Sequence, residues 1–120
     1  MSLTLHKGLE PEWFIPESQK EESNPVQFKI APMKSRQYVI FATGIDYSDG
    51  DTGEPKVSFS ERSINIALKQ VKGWKNVNDE NGESIAFTRS RLDDIPNEIM
   101  FELIGRIAEI SHISEEEEKN

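Results

Sequence analysis

The sequence predicts an α+β fold, in which short N-terminal β-strands are followed by a mainly helical C-terminal half. An alternating apolar pattern at 25–32 indicates a strand. Apolar residues at helical spacing indicate helices at 60–73 and 96–112, and Asn81 and Gly82 are typical turn residues.

The chain is expected to form a single domain over 1–120. Its 120 residues suffice for one modest core. Residues 1–11 carry no apolar periodicity, and residues 113–120 include four consecutive glutamates, which repel one another and offer no apolar face. We therefore expect flexible ends at 1–11 and 113–120.

Two short strands are predicted near the N-terminus. The first is the apolar run "EWFIP" at 12–16, and the second is "PVQFKIAP" at 25–32, where apolar and polar residues alternate. The apolar side of the second strand holds Val26, Phe28 and Ile30. A charged, turn-like segment separates the two strands, so they can pair as a hairpin. Because proline donates no backbone hydrogen bond, the prolines at 25 and 32 predict an edge strand.

The segment 33–44 fits either a strand or a helix. Its core, "YVIFAT", has the aromatic and β-branched composition of a strand. A stripe at helical spacing also runs through it: Met33, Gln37, Ile40 and Phe41. Gly44 suits the C-terminal end of a helix, which favours the helical interpretation.

Residues 46–55 are rich in Asp and Gly and are predicted to form a loop. A calcium loop of the EF-hand type needs oxygen ligands at alternating positions and a glycine at its sharp turn. Counted from Asp46, however, the alternating positions hold Ser48 and Gly50, and Asp51 stands where the glycine belongs. The spacing therefore predicts a turn and no metal site.

A helix is predicted over 60–73. Ser60 can cap its N-terminus, Glu61 suits the positive end of the helix dipole, and Gly73 is the predicted stop. The apolar face of this helix consists of Ile64, Ala67, Leu68 and Val71.

A hairpin-like loop is predicted in "VKGWKNVNDENGESIAFT", at 71–88. Asn81 and Gly82 tolerate a left-handed backbone and supply the turn. The inner face of the loop holds Trp74, Val77, Ile85 and Phe87. Trp74 is interpreted as a plug that closes the core over the end of the preceding helix. The alternative is an exposed contact for a partner protein.

Two helical segments complete the chain. "TRSRLDDIP" at 88–96 has Leu92 as its apolar anchor, and its final proline suits the first turn of the strongest helix, 96–112. The stripe of that helix consists of Ile99, Leu103, Ile107 and Ile110, widened by Met100, Ile104 and Ala108, with Phe101 beside it. Glu102 and Arg106 have the four-residue spacing of an ion pair.

The composition narrows the range of partners. A net charge of −8 argues against nucleic acid and anionic membranes as partners, because both are bound through Lys and Arg, and it favours basic partners. The chain has no cysteine, which excludes disulfides and thiolate metal sites. No apolar run approaches the ~20 residues of a membrane span. A cytoplasmic protein is expected.

No residue pattern for catalysis, for a cofactor or for a metal stands out. His6 and His112 lie near opposite ends of the sequence and lack the spacing of metal ligands. The motifs of a serine nucleophile elbow and of a phosphate-binding loop are absent. Asp93 and Asp94 are adjacent carboxylates of a kind that any acidic protein contains. We therefore expect a protein without enzymatic activity, without catalytic residues and without a cofactor or metal.

The order of elements from Ser60 to Asn120 resembles the tail assembly chaperones of long-tailed bacteriophages. In that family, Trp-Lys-Gly-Val or a similar run, then Asp-x-x-Gly, then Phe-Thr or Phe-Ser recur before the last helix. The corresponding residues here are Trp74, Lys75, Asn76, Val77, Asp79, Gly82, Phe87 and Thr88. Asn76 stands where a glycine is common, and the resemblance covers about half the chain.

The resemblance implies a protein that binds the tape-measure protein, or tail-tube subunits, in the cytosol of the bacterial host before the tail is built. Candidate contact residues, for a partner or for structural packing, are Trp74, Phe87, Met100, Phe101 and Ile104. The wide apolar stripe of the last helix also predicts self-association into a homo-oligomer. Two other functions stay open: a tail-completion or head–tail connector protein, and an acidic regulatory or inhibitor protein.

Overall fold

The structure of the protein, a computed structural model, describes residues 10–49 and 55–119. Side chains are described for these residues except 48–49, 55–56 and 113–119. Strands and helices are both present, which confirms the α+β fold class.

Five strands, three α-helices and two short 3₁₀ helices make up the described chain. The strands are β1 (Glu12–Phe14), β2 (Gln27–Ile30), β3 (Ile45–Asp49), β4 (Pro55–Phe59) and β5 (Val71–Lys75). The α-helices are α1 (Ser35–Thr43), α2 (Glu61–Leu68) and α3 (Asn97–Lys119), and the 3₁₀ helices span Glu17–Gln19 and Arg89–Asp94.

The first sheet is antiparallel, with its strands in the order β1-β2-β5. The predicted pairing of the two N-terminal strands is thus confirmed. The prediction that 25–32 forms an edge strand is wrong, because β2 pairs on both sides. Pro25 and Pro32 lie outside the paired residues 27–30, so they leave the hydrogen-bond ladder intact.

The predicted helix over 60–73 ends early. Ser60 caps α2 as predicted, since its Oγ accepts a hydrogen bond from the Ser63 N–H at 3.1 Å. The helix nevertheless ends at Leu68, and Gly73 lies inside β5 instead of stopping a helix. Pairing with β2, more than forty residues away in the chain, satisfies the backbone of this segment in a way that its local apolar spacing does not predict.

The prediction of a loop over 46–55 is wrong for the residues that the structure describes there. Residues 46–49 belong to β3 and residue 55 begins β4, and these two strands form a separate antiparallel hairpin. Its register places Ile45 opposite Phe59 and Tyr47 opposite Val57. Because residues at alternate positions share a face, these four apolar residues lie on one side of the hairpin. The helix predicted over 33–44 is confirmed as α1, with Gly44 directly after it.

The core lies between the first sheet and the three α-helices, which contact one another. Phe28 and Ile30 of β2 are buried as the alternating pattern predicts. The buried stripe of α3 comprises Leu103, Ile104, Ile107 and Ile110. Leu92, the predicted anchor of the helical segment at 88–96, is buried in the 3₁₀ helix Arg89–Asp94.

The last helix is longer than predicted. The expected helix over 96–112 continues as α3 to Lys119, so the backbone at 113–119 is helical. Of the predicted flexible ends, residues 1–9 and 120 lie outside the described residues.

Gly44 joins α1 to β3 at a point that leaves no room for a side chain. A Cβ atom there would collide with the hydroxyls of Ser60 and Ser63. The Ser63 side chain has little room to move away, because it is buried and its Oγ donates a hydrogen bond to the Phe41 carbonyl at 2.8 Å. We expect Gly44→Ala to lower the free energy of unfolding by about 1–3 kcal/mol, as overpacking does.

Equilibrium urea unfolding measures this effect, with Gly105→Ala as the matched control. A Cβ at Gly105 meets nothing within 4 Å, and the residue lies in the interior of α3. Alanine there should raise the free energy of unfolding by roughly 0.5–1 kcal/mol, because glycine is a poor helix former. Shifts of the same sign for both variants would contradict this assignment.

Candidate functional site

Trp74 lies in β5, and its indole ring contacts two other aromatic rings. It is the cross-strand partner of Phe28, and the two rings meet edge-on at 6.5 Å between centroids. The Phe87 ring meets it edge-on at 5.1 Å between centroids. Its Nε1 donates to the Ile85 carbonyl at 2.8 Å, so the polar atom of this half-buried side chain is satisfied. Trp74 therefore joins the sheet to the loop that follows.

The loop after β5 is hairpin-like, as its sequence indicates. Asn78 and Ser84 form a β-bridge, and the Ile85 N–H donates to the Val77 carbonyl at 2.8 Å. The four predicted inner residues, namely Trp74, Val77, Ile85 and Phe87, are all half-buried. The loop thus extends the apolar face of the sheet beyond the end of β5.

The turn of this loop is held by Asp79. Its Oδ1 accepts hydrogen bonds from the N–H groups of Asn81, at 2.8 Å, and Glu83, at 3.0 Å. Gly82 has a left-handed backbone, with φ of 80°. Of the two residues whose types tolerate a left-handed backbone, Asn81 and Gly82, only Gly82 adopts it. The second left-handed residue of the loop is Asn76, with φ of 63°, whose amide donates to the Pro25 carbonyl at 2.9 Å.

Two of the predicted contact residues on α3 face the inside of the molecule. Ile104 is only 2% exposed and belongs to the core, so in this fold its side chain cannot reach a partner. Met100 is half-buried and packs against the same core. The helical stripe thus serves internal packing at both positions.

Phe101 is the predicted contact residue that α3 leaves to solvent, with 57% of its surface exposed. Its ring lies 6.3 Å from that of Phe59 on β4, which in turn stacks on the buried Phe41 at 5.8 Å. Phe101 is therefore the exposed end of an aromatic row that begins in the core. Next to it, the hairpin exposes Tyr47 by 73% and Val57 by 41%.

The sequence prediction misses Tyr47, Val57 and Phe59 as surface residues, because it places 46–55 in a loop and predicts no strand over 55–59. A signal for them exists in "IDYSD" and "PKVSF". In both segments apolar residues recur at every second position, on either side of a stretch rich in Asp and Gly. That arrangement is typical of a hairpin.

Polar contacts fix α3 against the N-terminal strand. The guanidinium of Arg106 binds Glu12 of β1 at 2.8 Å and Glu109 at 3.1 Å. The hydrogen bond that Arg106 donates to the Glu12 carboxylate raises the pKa of Arg106 above its ordinary value, against an opposing effect of burial. The predicted pair of Glu102 with Arg106 is wrong, because Glu102 instead accepts hydrogen bonds from the backbone and hydroxyl of Ser18.

A cleft of about 310 Å³ opens between the Trp74 loop and the start of α3. Trp74, Val77 and Ile99 form part of its apolar wall, while Arg91 and Asp94 lie at its polar side. Its volume is at the small end of the range for ligand pockets. No group of three His, Cys, Asp or Glu side chains within the described residues is placed to hold a metal ion.

Two further observations concern the whole described chain. None of its helices within 10–49 and 55–119 combines the length and the apolar character that crossing a membrane requires. Comparisons of the chain with protein-family models, with curated proteins and with solved structures found no match.

Proposed function

We propose that the protein is a non-enzymatic tail assembly chaperone of a long-tailed bacteriophage. It acts in the cytoplasm of the bacterial host, where it binds the tape-measure protein or another tail protein before assembly. The observation that carries this proposal is the loop from Trp74 to Phe87. Its sequence has the family's pattern, and the residues of that pattern make the contacts that shape the loop.

The roles of these residues explain why the pattern needs them. Trp74 and Phe87 pack edge-on, Asp79 closes the turn, and Gly82 supplies the left-handed backbone. Asn76 occupies the position where the family commonly has glycine, and its φ is 63°. Asparagine is among the few residues that adopt this conformation readily, so the departure from the pattern keeps the local geometry.

The surface of the protein fits a role in protein binding. An exposed aromatic ring and an exposed hairpin face lie side by side at Phe101, Tyr47 and Val57, and exposed apolar groups that adjoin one another are typical of interaction sites. The net charge of −8 keeps a complex with an apolar, unassembled partner in solution.

Co-expression tests the proposal. The tape-measure protein of the same phage should gain several-fold in soluble yield when this protein is made with it. A plasmid with an early stop codon in place of Trp13 serves as the control. An unchanged soluble yield, with both proteins made in full length, contradicts the proposal. So does recovery of the protein from purified virions, where a tail-completion or connector protein would be found.

A further inference from the structure

The β3–β4 hairpin and α3 together present an apolar surface formed by Tyr47, Val57, Phe59 and Phe101, here called the hairpin face. Tyr47 and Val57 are direct cross-strand partners, and Val57 and Phe59 alternate along β4, so the three side chains share one side of the hairpin. Phe101 extends this side onto α3 through its contact with Phe59. The inner end of the face rests on the core, while its outer end is exposed.

The hairpin face is long enough to receive a helix. The rings of Phe59 and Phe101 are 6.3 Å apart. Alternate residues of a strand add roughly 6.6 Å to this length, so the face spans about 13 Å from Phe101 to the pair of Val57 and Tyr47. A helix rises about 5.4 Å per turn, and the face therefore matches two to three turns of an apolar helical stripe.

The surroundings of the hairpin face are acidic. The chain as a whole carries a net charge of −8. Glu61 follows β4, and Glu98 precedes Phe101 by one turn of α3, and both are exposed, with Arg62 as a neighbouring cation. An approaching segment with lysine or arginine beside its apolar stripe gains electrostatic attraction here.

The same charges argue against a second copy of this chain as the occupant. A two-fold symmetric contact brings the same surface of both subunits together, so carboxylates would face carboxylates. Between chains that each carry a net charge of −8, such a contact is repelled.

We infer that the hairpin face binds an amphipathic helix whose apolar stripe is flanked by lysine or arginine. This inference rests on the proposed function, since it specifies which kind of segment in the tail protein the chaperone holds. The face is open to such a segment, because Tyr47, Val57 and Phe101 are all exposed.

Two synthetic peptides of about 18 residues, long enough for a stable helix, test this inference. Both carry leucine at helical spacing, with lysine at the remaining positions in one peptide and glutamate in the other. In ¹H–¹⁵N NMR spectra at ~0.15 M salt, the lysine peptide should shift the amide signals of 45–47, 57–59 and the first turns of α3. The glutamate peptide should bind at least tenfold more weakly.

Variants of the face identify the contact residues. Combining Tyr47→Ala with Phe101→Ala should weaken binding of the lysine peptide at least tenfold, because large exposed aromatic residues contribute much of the binding energy of such interfaces. Val39→Ala is the matched control: Val39 is an apolar residue of α1 that is 53% exposed and lies outside the face, and its substitution should change the affinity less than about twofold.

Three results would overturn the inference. They are equal binding of both peptides, wild-type affinity in the double variant, and a dimer of the wild-type protein that is absent in the double variant.

The co-expression experiment is separate from these measurements. If the tape-measure protein gains nothing while the peptide binds the face, the proposed function is wrong and the hairpin face stands. If the yield rises equally with wild type and double variant, the function stands and the assignment of the face is wrong.

Discussion

Leu103→Ala is expected to lower the free energy of unfolding by about 3 kcal/mol, within the range measured for buried leucines. Leu103 is 0% exposed and lies at the centre of the stripe by which α3 covers the core. Alanine there removes buried apolar surface and leaves a cavity that its neighbours fill only in part. The loss is a large fraction of the ~5–15 kcal/mol that stabilises a domain of this size.

Phe101→Ala is the matched variant on the same helix. Phe101 is 57% exposed, and its one ring contact among the described residues is with Phe59. Its removal should lower the free energy of unfolding by about 0.5–1 kcal/mol, the contribution of an aromatic pair near the surface. Equilibrium urea unfolding measures both variants, and a two-state transition with an unchanged slope validates the comparison.

A similar loss in the two variants would contradict the packing described here. It would mean that Phe101 is covered in solution, either by another part of the chain or by a second copy. Protein concentration then separates the two explanations, because the stability of a dimer depends on it and that of a monomer does not.

The sequence predicts the elements whose determinants are local. The alternation of Val26, Phe28 and Ile30 indicates a strand with one buried side, because successive side chains of a strand point to opposite faces of the sheet. Ser60 predicts the start of α2, because its hydroxyl oxygen accepts a hydrogen bond from the N–H of Ser63, only three positions away. The helical spacing from Ile99 to Ile110 likewise identifies most of the buried stripe of α3.

The elements that depend on distant partners could not be predicted in this way. The local sequence around Val71 is compatible with a continuing helix and with a strand. Val71 belongs to a strand because it pairs with Ile30 of β2. The central position of β2 depends on the same pairing. Arg106 has an acidic neighbour at helical spacing in Glu102, but Glu12 of the folded N-terminal strand competes for it from almost a hundred residues away.

The candidate surface was predicted in part, for a physical reason. Spacing along α3 sets Phe101 apart from the stripe, and Phe101 is indeed exposed. Spacing does not reveal that Ile104 is buried, because that depends on which neighbours cover the edge of the stripe. Tyr47 and Val57 became visible only through the register of the hairpin, which joins residues on both sides of a segment rich in Asp and Gly.

Trp74→Ala is expected to lower the free energy of unfolding by about 3 kcal/mol, at the lower end of the range for tryptophan because the side chain is half-buried. The substitution removes two edge-on aromatic contacts, with Phe28 and Phe87, and the hydrogen bond to the Ile85 carbonyl. Trp74→Phe keeps most of the packing but not the N–H donor. It should cost about 1–2 kcal/mol, the sum of a lost hydrogen bond and a small cavity.

Trp13 provides the control, since the chain has two tryptophans and each variant leaves one as the fluorescent reporter. Trp13 is 41% exposed on the outer face of the sheet, where the Lys75 Nζ lies 4.0 Å from its ring centroid. Trp13→Phe should lower the free energy of unfolding by less than about 1 kcal/mol, the energy of an exposed cation–π contact.

Urea unfolding followed by circular dichroism compares the three variants. If Trp74→Ala unfolds like the wild type but loses the soluble complex with the tape-measure protein, Trp74 is a partner contact and the plug interpretation is wrong. A loss of stability near 3 kcal/mol means instead that the indole holds the loop onto the sheet.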